Sequence, residues 1–504
     1  MRPVRALPPL TVEIDGAPLA EPLARALGEA RVAQKLGLPA QAELVLVDPE
    51  LGVSLPIAPG ARLRLALAGI SPPLFDGEVT AVEVAYGGDR GVELSVRGYD
   101  LLHRLRKRQP VRAHVRATAA DLARELTADL GLTVEAAVDG PVKERVLQHG
   151  QSDLELLVEE AAAAGLYPVL ADGVLRLLTL EGDGDSVELE LGKTLLEARL
   201  EANGDPCCRS VKATGWDPWR AEAALGEARS PRVGREVPVE APPSALGATG
   251  ERHLTDGRAS SAAEAEGLAQ AELDRRSAAE VVLSGVAEGD PALRPGTQVT
   301  VAGVAAPFAG RYVLTGVEHR IDAEAGYVSE ITTAPPAPPP RRHEAVAAWA
   351  LVTRVDDPEG WGRVKVSLPA YGELETEWIN VVCLAAGAGK GLLALPEVGD
   401  RVLVVFTHGD PARGVVVGGL YGSQGLPEQV VDGGAVRRFT LRTPGGQRFS
   451  LDDAASSVKV ESKNGSFVEL APDKVTLHAT APLTIEAPGL PIVVRGATID
   501  FRRA

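Results

Sequence analysis

From Phe439 onward, apolar and polar side chains alternate in a run of very short pieces: RFSL, VKVE, FVEL, VTLH, LTIE, IVVR and TIDF. Each break between them holds Gly, Pro, Asn or Ser. They begin at Arg448, Val458, Phe467, Val475, Leu483, Ile492 and Thr498, steps that cluster around eight or nine residues. Period-two alternation over about four residues predicts a strand, and each break predicts a corner. A strand this short cannot bury its apolar side alone, and an isolated hairpin is marginal in water. Stacking the repeats, or winding them with identical chains, would supply the missing partner and hide the sheet edges. With strands about 4.8 Å apart, roughly eight layers would make a rod on the order of 40 Å long. The expectation is a trimeric β-helix needle over residues 439–504. A small domain of ordinary hairpins is the competing reading; its one Asn-Gly turn signal is Asn464-Gly465.

The front of the chain carries longer strand patterns. LTVEIDG, AELVLVD, ARLRLALAG, GEVTAVEVAY and GVELSVRGYD alternate or run apolar for five to eight residues. They end at Asp15-Gly16, Asp48-Pro49, Asp76-Gly77 and Gly87-Gly88, all turn formers. A mostly antiparallel β-domain is expected over residues 10 to about 110. Helical spacing then takes over. Thr118 with Asp121 makes a capping box ahead of Leu122, Leu126 and Leu130, with Gly131 beyond. Ser152 with Glu155 makes a second one ahead of Leu154, Leu157, Val158 and Ala161, with Gly165 as its stop. These leucines read as core stripes. Further strands are expected from Tyr167 to about Val211, a helix over about 260–276, and strands over about 281–333. The stretch APPAPPPRRHE, Ala334 to Glu344, reads as a stiff polyproline spacer. Beyond it, LVTRVDDPEGWGRVKVSLPAYG, TEWINVVCLAAGAGKGLLALPEVGDRVLVVF and THGDPARGVVVGGLYG fit a five-stranded small barrel.

A chain of 504 residues is long enough for two to four domains. Its net charge of −17 is uneven: from Val436 to Ala504, ten Lys and Arg against seven Asp and Glu leave +3, so the rest carries −20. An acidic body argues against nucleic-acid binding, which needs clustered basic residues. Cys207, Cys208 and Cys383 make no zinc spacing and suit a reducing compartment. The N-terminus lacks the apolar core of a signal peptide, and no stretch approaches the length of a membrane span. The protein is therefore expected to be cytoplasmic at synthesis.

Five segments in order, QSDLELLVEEAAAAGLYPVL, VKATGWDP, EAEGLAQAEL, LRPGTQVTVAG and GRYVLTGVEHRID, resemble the hub region of phage tail D proteins and of valine-glycine repeat (VgrG) spikes. DPEGWGRVKV, LPEVGDRVLVVF and GDPARGVVVGGLYG resemble the oligonucleotide/oligosaccharide-binding (OB) barrel of phage baseplate V proteins and VgrG spikes. The resemblance implies a mainly β chain with a few helices: a hub of tail-tube-like β modules over 1–333, a linker over 334–345, an OB barrel over 346–424, a neck over 425–438 and the needle. It further implies a homotrimeric spike of a contractile injection system that adapts a hexameric tail tube to a threefold needle. The implied partners are tail-tube and baseplate proteins, a tip protein of the proline-alanine-alanine-arginine repeat (PAAR) kind, cargo effectors and a target membrane pierced mechanically, in an assembled phage-tail-like particle. The absence of an effector segment after the needle leans toward an extracellular particle.

No residue is expected to be catalytic, to bind a cofactor or to ligate a metal. Asp356, Asp357 and Glu359 read as a turn, and His319 as a packing or hydrogen-bonding side chain. Trp361, Trp378 and Tyr371 could stack on bases, but Glu373, Glu375 and Glu377 beside them favour trimer packing. AAGAGKG, Ala385 to Gly391, lacks the Ser or Thr of a phosphate loop. G-x-S-x-G, H-E-x-x-H and a Ser/His/Asp set are missing, and only about fifteen residues separate barrel from needle, too few for a lysozyme insertion. His478 is the needle's one histidine, where related spikes that bind iron carry an H-x-H pair. The rival readings are a wall-degrading spike enzyme, a nucleic-acid-binding trimer and a β-helical adhesin.

Overall fold

Alternation in the sequence becomes alternation in burial. In Arg62–Leu67 the three leucines are buried while Arg62 is exposed, and Gln41–Val47 buries Ala42, Leu44 and Leu46 in the same way. The computed structural model describes residues 10–49, 57–87, 91–217, 222–240, 242–247, 249–256, 259–338, 346–406, 410–422 and 425–502. The turn expected at Asp48-Pro49 follows the end of the strand Gln41–Val47, with Asp48 at a left-handed φ of 47°; Gly87-Gly88 and the proline-rich stretch are only partly within these residues. The chain forms two compact units, Met1–Leu420 and Tyr421–Ala504.

The first unit is organised on an eleven-stranded sheet. From one edge to the other it runs Leu195–Ala202, Val281–Glu288, Gly326–Thr332, Gly316–Asp322, Leu27–Lys35, Gln41–Val47, Gly91–Tyr99, Phe75–Gly87, Arg62–Leu67, Leu10–Ile14 and Ala17–Pro18. Strands from the two ends of the first 333 residues thus meet edge to edge. Leu27–Lys35 pairs antiparallel with Gly316–Asp322, and Arg31 Nε donates to Glu318 Oε1 at 3.0 Å across the seam. Separate apolar clusters, one around Leu44, Leu65 and Val96 and one around Leu283, Val299 and Tyr312, back the two halves.

One expected turn is not a turn. Asp76-Gly77 lies inside the strand Phe75–Gly87, paired with Arg64 and Leu63. Glycine is required there by crowding, because a Cβ at Gly77 would sit 2.3 Å from the Tyr99 carbonyl oxygen.

Four helices interrupt the strands. Helix α1, Glu21–Ala26, was not expected; six residues are too few to show a helical period. Helices α2, Ala119–Thr127, and α3, Asp153–Ala163, open on the expected boxes, with Thr118 and Ser152 accepting the Asp121 and Glu155 backbone N–H. Leu122, Leu126, Leu154 and Leu157 are buried in one cluster, and Gly131 and Gly165 take left-handed φ at the ends. Helix α4, Ala262–Glu280, runs four residues past its expected end.

Beyond the proline-rich stretch, six strands form a small barrel where five were expected. Their order is Leu374–Glu375, Lys365–Leu368, Val346–Arg354, Arg401–Phe406, Gly414–Leu420 and Asn380–Val381, and a bridge between Val364 and Ile379 joins the two sides. Val402, Val404 and Phe406 fill its core, as their spacing predicted. Asp357 anchors the connection after the first barrel strand. Its carboxylate accepts the backbone N–H of Glu359, Trp361 and Arg363 at 2.9–3.3 Å and a two-pronged contact from the Arg363 guanidinium at 2.7 and 3.1 Å. Both side chains are buried, and Arg363 stacks 4.6 Å over the Trp361 ring.

In the second unit, five strands pair only with their sequence neighbours: Arg438–Arg442, Arg448–Asp452, Ser457–Glu461, Phe467–Leu470 and Val475–His478. Where winding between chains was anticipated, these strands make an antiparallel meander within one chain.

Two outcomes are expected. Replacing Gly77 by Ala should lower stability by about 1–3 kcal/mol through overpacking, read by chemical denaturation. Asp357→Asn leaves the buried Arg363 only the more distant, exposed Glu359 carboxylate at 3.5 Å and should cost about 3 kcal/mol at neutral pH. The guanidinium holds the Asp357 carboxyl well below the usual carboxylate range. A depressed folded-state value stabilises the fold above the unfolded value of about 4 and loses that contribution as pH falls toward the folded one. Thermal melts should therefore show the gap between wild type and variant narrowing below about pH 4.

Candidate functional site

The meander separates its side chains by face. Opposed pairs on one face are Phe439 with Leu451, Leu441 with Phe449, Val460 with Val468, and Leu470 with Val475. On the other face Arg438 Nε donates to Asp452 at 2.9 Å, and Arg448 and Lys459 each reach Glu461 at 3.0 Å. Phe467 stacks on His478 at a centroid distance of 5.1 Å, with Lys459 4.2 Å above Phe467. The polar face thus carries ion pairs within and across strands, whereas the apolar face lies largely open among the described residues. Phe439 is 60% exposed and Val475 71%. Every buried hydrophobic cluster among the described residues lies before residue 417.

The pattern continues where pairing stops. LTIE, IVVR and TIDF, expected as strands, make no strand within the chain; residues 479–502 have neither helix nor sheet. Leu483, Ile485, Ile492, Val494 and Phe501 are exposed there, Phe501 to 95%. Sequence alternation without a second layer leaves the apolar side chains of these segments without burial. The barrel also shows exposed apolar side chains, among them Trp349, Leu384, Leu393 and Val398.

Residues considered for chemistry have structural partners. His319 is buried, its Nδ1 2.9 Å from Ser329 Oγ and 3.1 Å from the Tyr327 hydroxyl; burial pushes its pKa down to about 4, which keeps the ring neutral. Asp357 is filled by backbone and guanidinium donors, and Asp356 pairs with Arg354. Trp378 lies between Arg354 and Lys365 at 5.3 and 5.6 Å. Tyr371, expected at a trimer contact, instead packs edge-on against Phe406 and His149 of its own chain. In AAGAGKG a bridge between Gly387 and Lys390 closes a loop. Burial raises the thiol pKa of Cys207 and Cys208, and none of the three cysteines is in a disulfide. His478 lies on the polar face, away from the apolar one. Among the described residues no His, Cys, Asp and Glu cluster is arranged to hold a metal ion, and no helix is long and apolar enough to cross a membrane.

Sequence reading missed two ion pairs that cross from the first 333 residues to the barrel, the buried pair Glu264 with Arg413 and the part-buried pair Arg145 with Glu377. The Ser261-x-x-Glu264 spacing marks a helix start, but nothing local marks its distant arginine.

Comparison with known proteins covers both parts of the first unit. Residues 349–421 match the family described as the type VI secretion system/phage-baseplate injector OB domain, and residues 40–323 match the Alg8 N-terminal domain. The spike protein VgrG2a of Pseudomonas aeruginosa is 38% identical over 72 residues, 13% of this chain and 9% of that protein. VgrG3 of Vibrio cholerae is 30% identical over 112 residues, 20% of this chain and 11% of that protein. The chain thus spans only about a tenth of the length of these curated relatives. Among solved structures, the E. coli c3393 protein, described as a type VI secretion system component, superposes with a TM-score of 0.54 at 14% identity, covering 81% of this chain and 99% of that one. A chain of the Francisella PdpA–VgrG complex superposes with a TM-score of 0.55 at 6% identity, covering 93% and 87%. The Alg8 match takes in more than half of the 504 residues, so the chain belongs to the Alg8 N-terminal domain family, followed by an injector OB barrel, and its fold is that of a VgrG-like spike.

Proposed function

We propose that the chain is the homotrimeric central spike of a contractile injection machine, with the hub adapting a hexameric tube to a threefold needle that is driven mechanically through a target envelope. The observation that carries this reading is the uncovered apolar face of the 438–478 meander, continued by the unpaired apolar segments up to Phe501. Three such faces turned inward would form a closed prism with its ion pairs outside. Burying each large apolar side chain contributes about 1.5–3 kcal/mol, which a single chain cannot recover for this sheet. Closure also removes the sheet edges, which suits a rod that must resist unfolding under load. In this arrangement His478 faces outward, so three copies would not meet on the axis. The tip cover, cargo and tube contacts implied by the spike resemblance belong to the same reading, as does a mechanical and not an enzymatic role.

Light scattering of the purified chain should give three times the chain mass. Val460→Glu, which places a charge on the apolar face, should shift the particle toward monomer while the hub keeps its circular dichroism. A monomeric wild type would overturn the proposal. A peptidoglycan zymogram should stay blank; clear lysis would favour the wall-degrading alternative.

A further inference from the structure

Glu264 and Arg413 stand 149 positions apart, one on the first turn of α4 and the other in the short turn Pro411–Arg413 of the barrel. Arg413 Nη2 donates to Glu264 Oε2 at 3.2 Å, and the two side chains are 7% and 5% exposed. The other Glu264 oxygen accepts the hydroxyls of Ser260 and Ser261 at 2.7 and 3.2 Å, and Arg413 Nε also meets Asp410 at 3.2 Å. A second contact lies on the strand Lys143–Gln148. There Arg145 donates to Glu377 Oε1 at 2.6 Å and to the Glu375 carbonyl oxygen, while Lys365 holds the remaining Glu377 oxygen at 3.0 Å. The ring contact of His149 with Tyr371, itself against Phe406 of the barrel core, is the third.

We infer that these side chains form a clasp that docks the barrel onto the helical part of the hub, so that the two stay one body when the proline-rich linker is cut. A tethered barrel would need no buried charges at the joint. The Glu264–Arg413 pair takes both charges out of water, which is tolerable only with the partner in place. Neither pair uses the linker. Force passing between hub and barrel is thus carried through α4 and the Lys143–Gln148 strand, not through the 334–345 chain. The inference does not depend on the number of chains in the particle.

The test uses the full-length protein with a site-specific protease sequence in place of residues 339–345, cut after folding. At micromolar concentration the two pieces should co-elute from a sizing column; separation of the wild-type pieces would overturn the clasp. Arg413→Met strands the buried Glu264 carboxylate, and Glu264→Gln leaves Arg413 only its contacts within the barrel; each should weaken the association, by about 100-fold or more for Arg413→Met, read from the concentration at which the pieces part. Glu264→Gln keeps a helix-capping side chain, and the double variant, in which only the part-exposed Asp410 loses its arginine, should recover most of the loss. Single variants that hold as tightly as wild type would equally overturn the proposal. A monomeric but still co-eluting protein would refute the trimer and leave the clasp standing.

Discussion

A β-sheet with one apolar face must find a second layer, and the whole chain can be read as two answers to that demand. Before residue 417 the layers are supplied within the chain. The apolar clusters around Leu44 and Leu283 back one continuous sheet, and the leucines of α2 and α3 close a third cluster. After residue 437 they are not. The meander has ion-paired side chains on one face and open Phe, Leu and Val side chains on the other. That imbalance is what the proposed association of three chains would remove.

The eleven-stranded sheet shows a related economy at its edges. Had residues 10–99 and 195–332 remained separate sheets, each would have exposed a strand where Leu27–Lys35 and Gly316–Asp322 now pair. The Arg31–Glu318 contact fixes the pairing across that seam. The segments between, with α2, α3 and α4, sit on this frame and present the surface to which the barrel is joined.

At that joint, charge replaces apolar surface as the means of docking. Glu264 serves twice, accepting serine hydroxyls at the start of α4 and the barrel's Arg413. Such pairs are directional: they specify one register between two bodies in a way that an apolar patch does not, at the cost of desolvating both partners.

The sequence alone determined whatever depends on near neighbours. The capping boxes at Thr118 and Ser152, the leucine stripes behind them, the buried alternation at Val402, Val404 and Phe406, and the short repeats from Arg448 onward are all local patterns, and the elements through Val475 formed where those patterns stand. The motifs of the barrel and hub made the spike resemblance legible for the same reason. Only the tertiary structure decided that Asp76-Gly77 crosses beneath Tyr99 instead of turning, that Tyr371 faces the chain's own Phe406 and His149, that strands 27–35 and 316–322 are neighbours, and that Glu264 finds Arg413. Those outcomes depend on contacts between residues far apart in the chain, whose loop-closure cost and packing gain leave no periodicity to read. Likewise, alternation in LTIE, IVVR and TIDF states which side chains favour burial, but these segments form no strand within the described chain and their apolar side chains stay exposed.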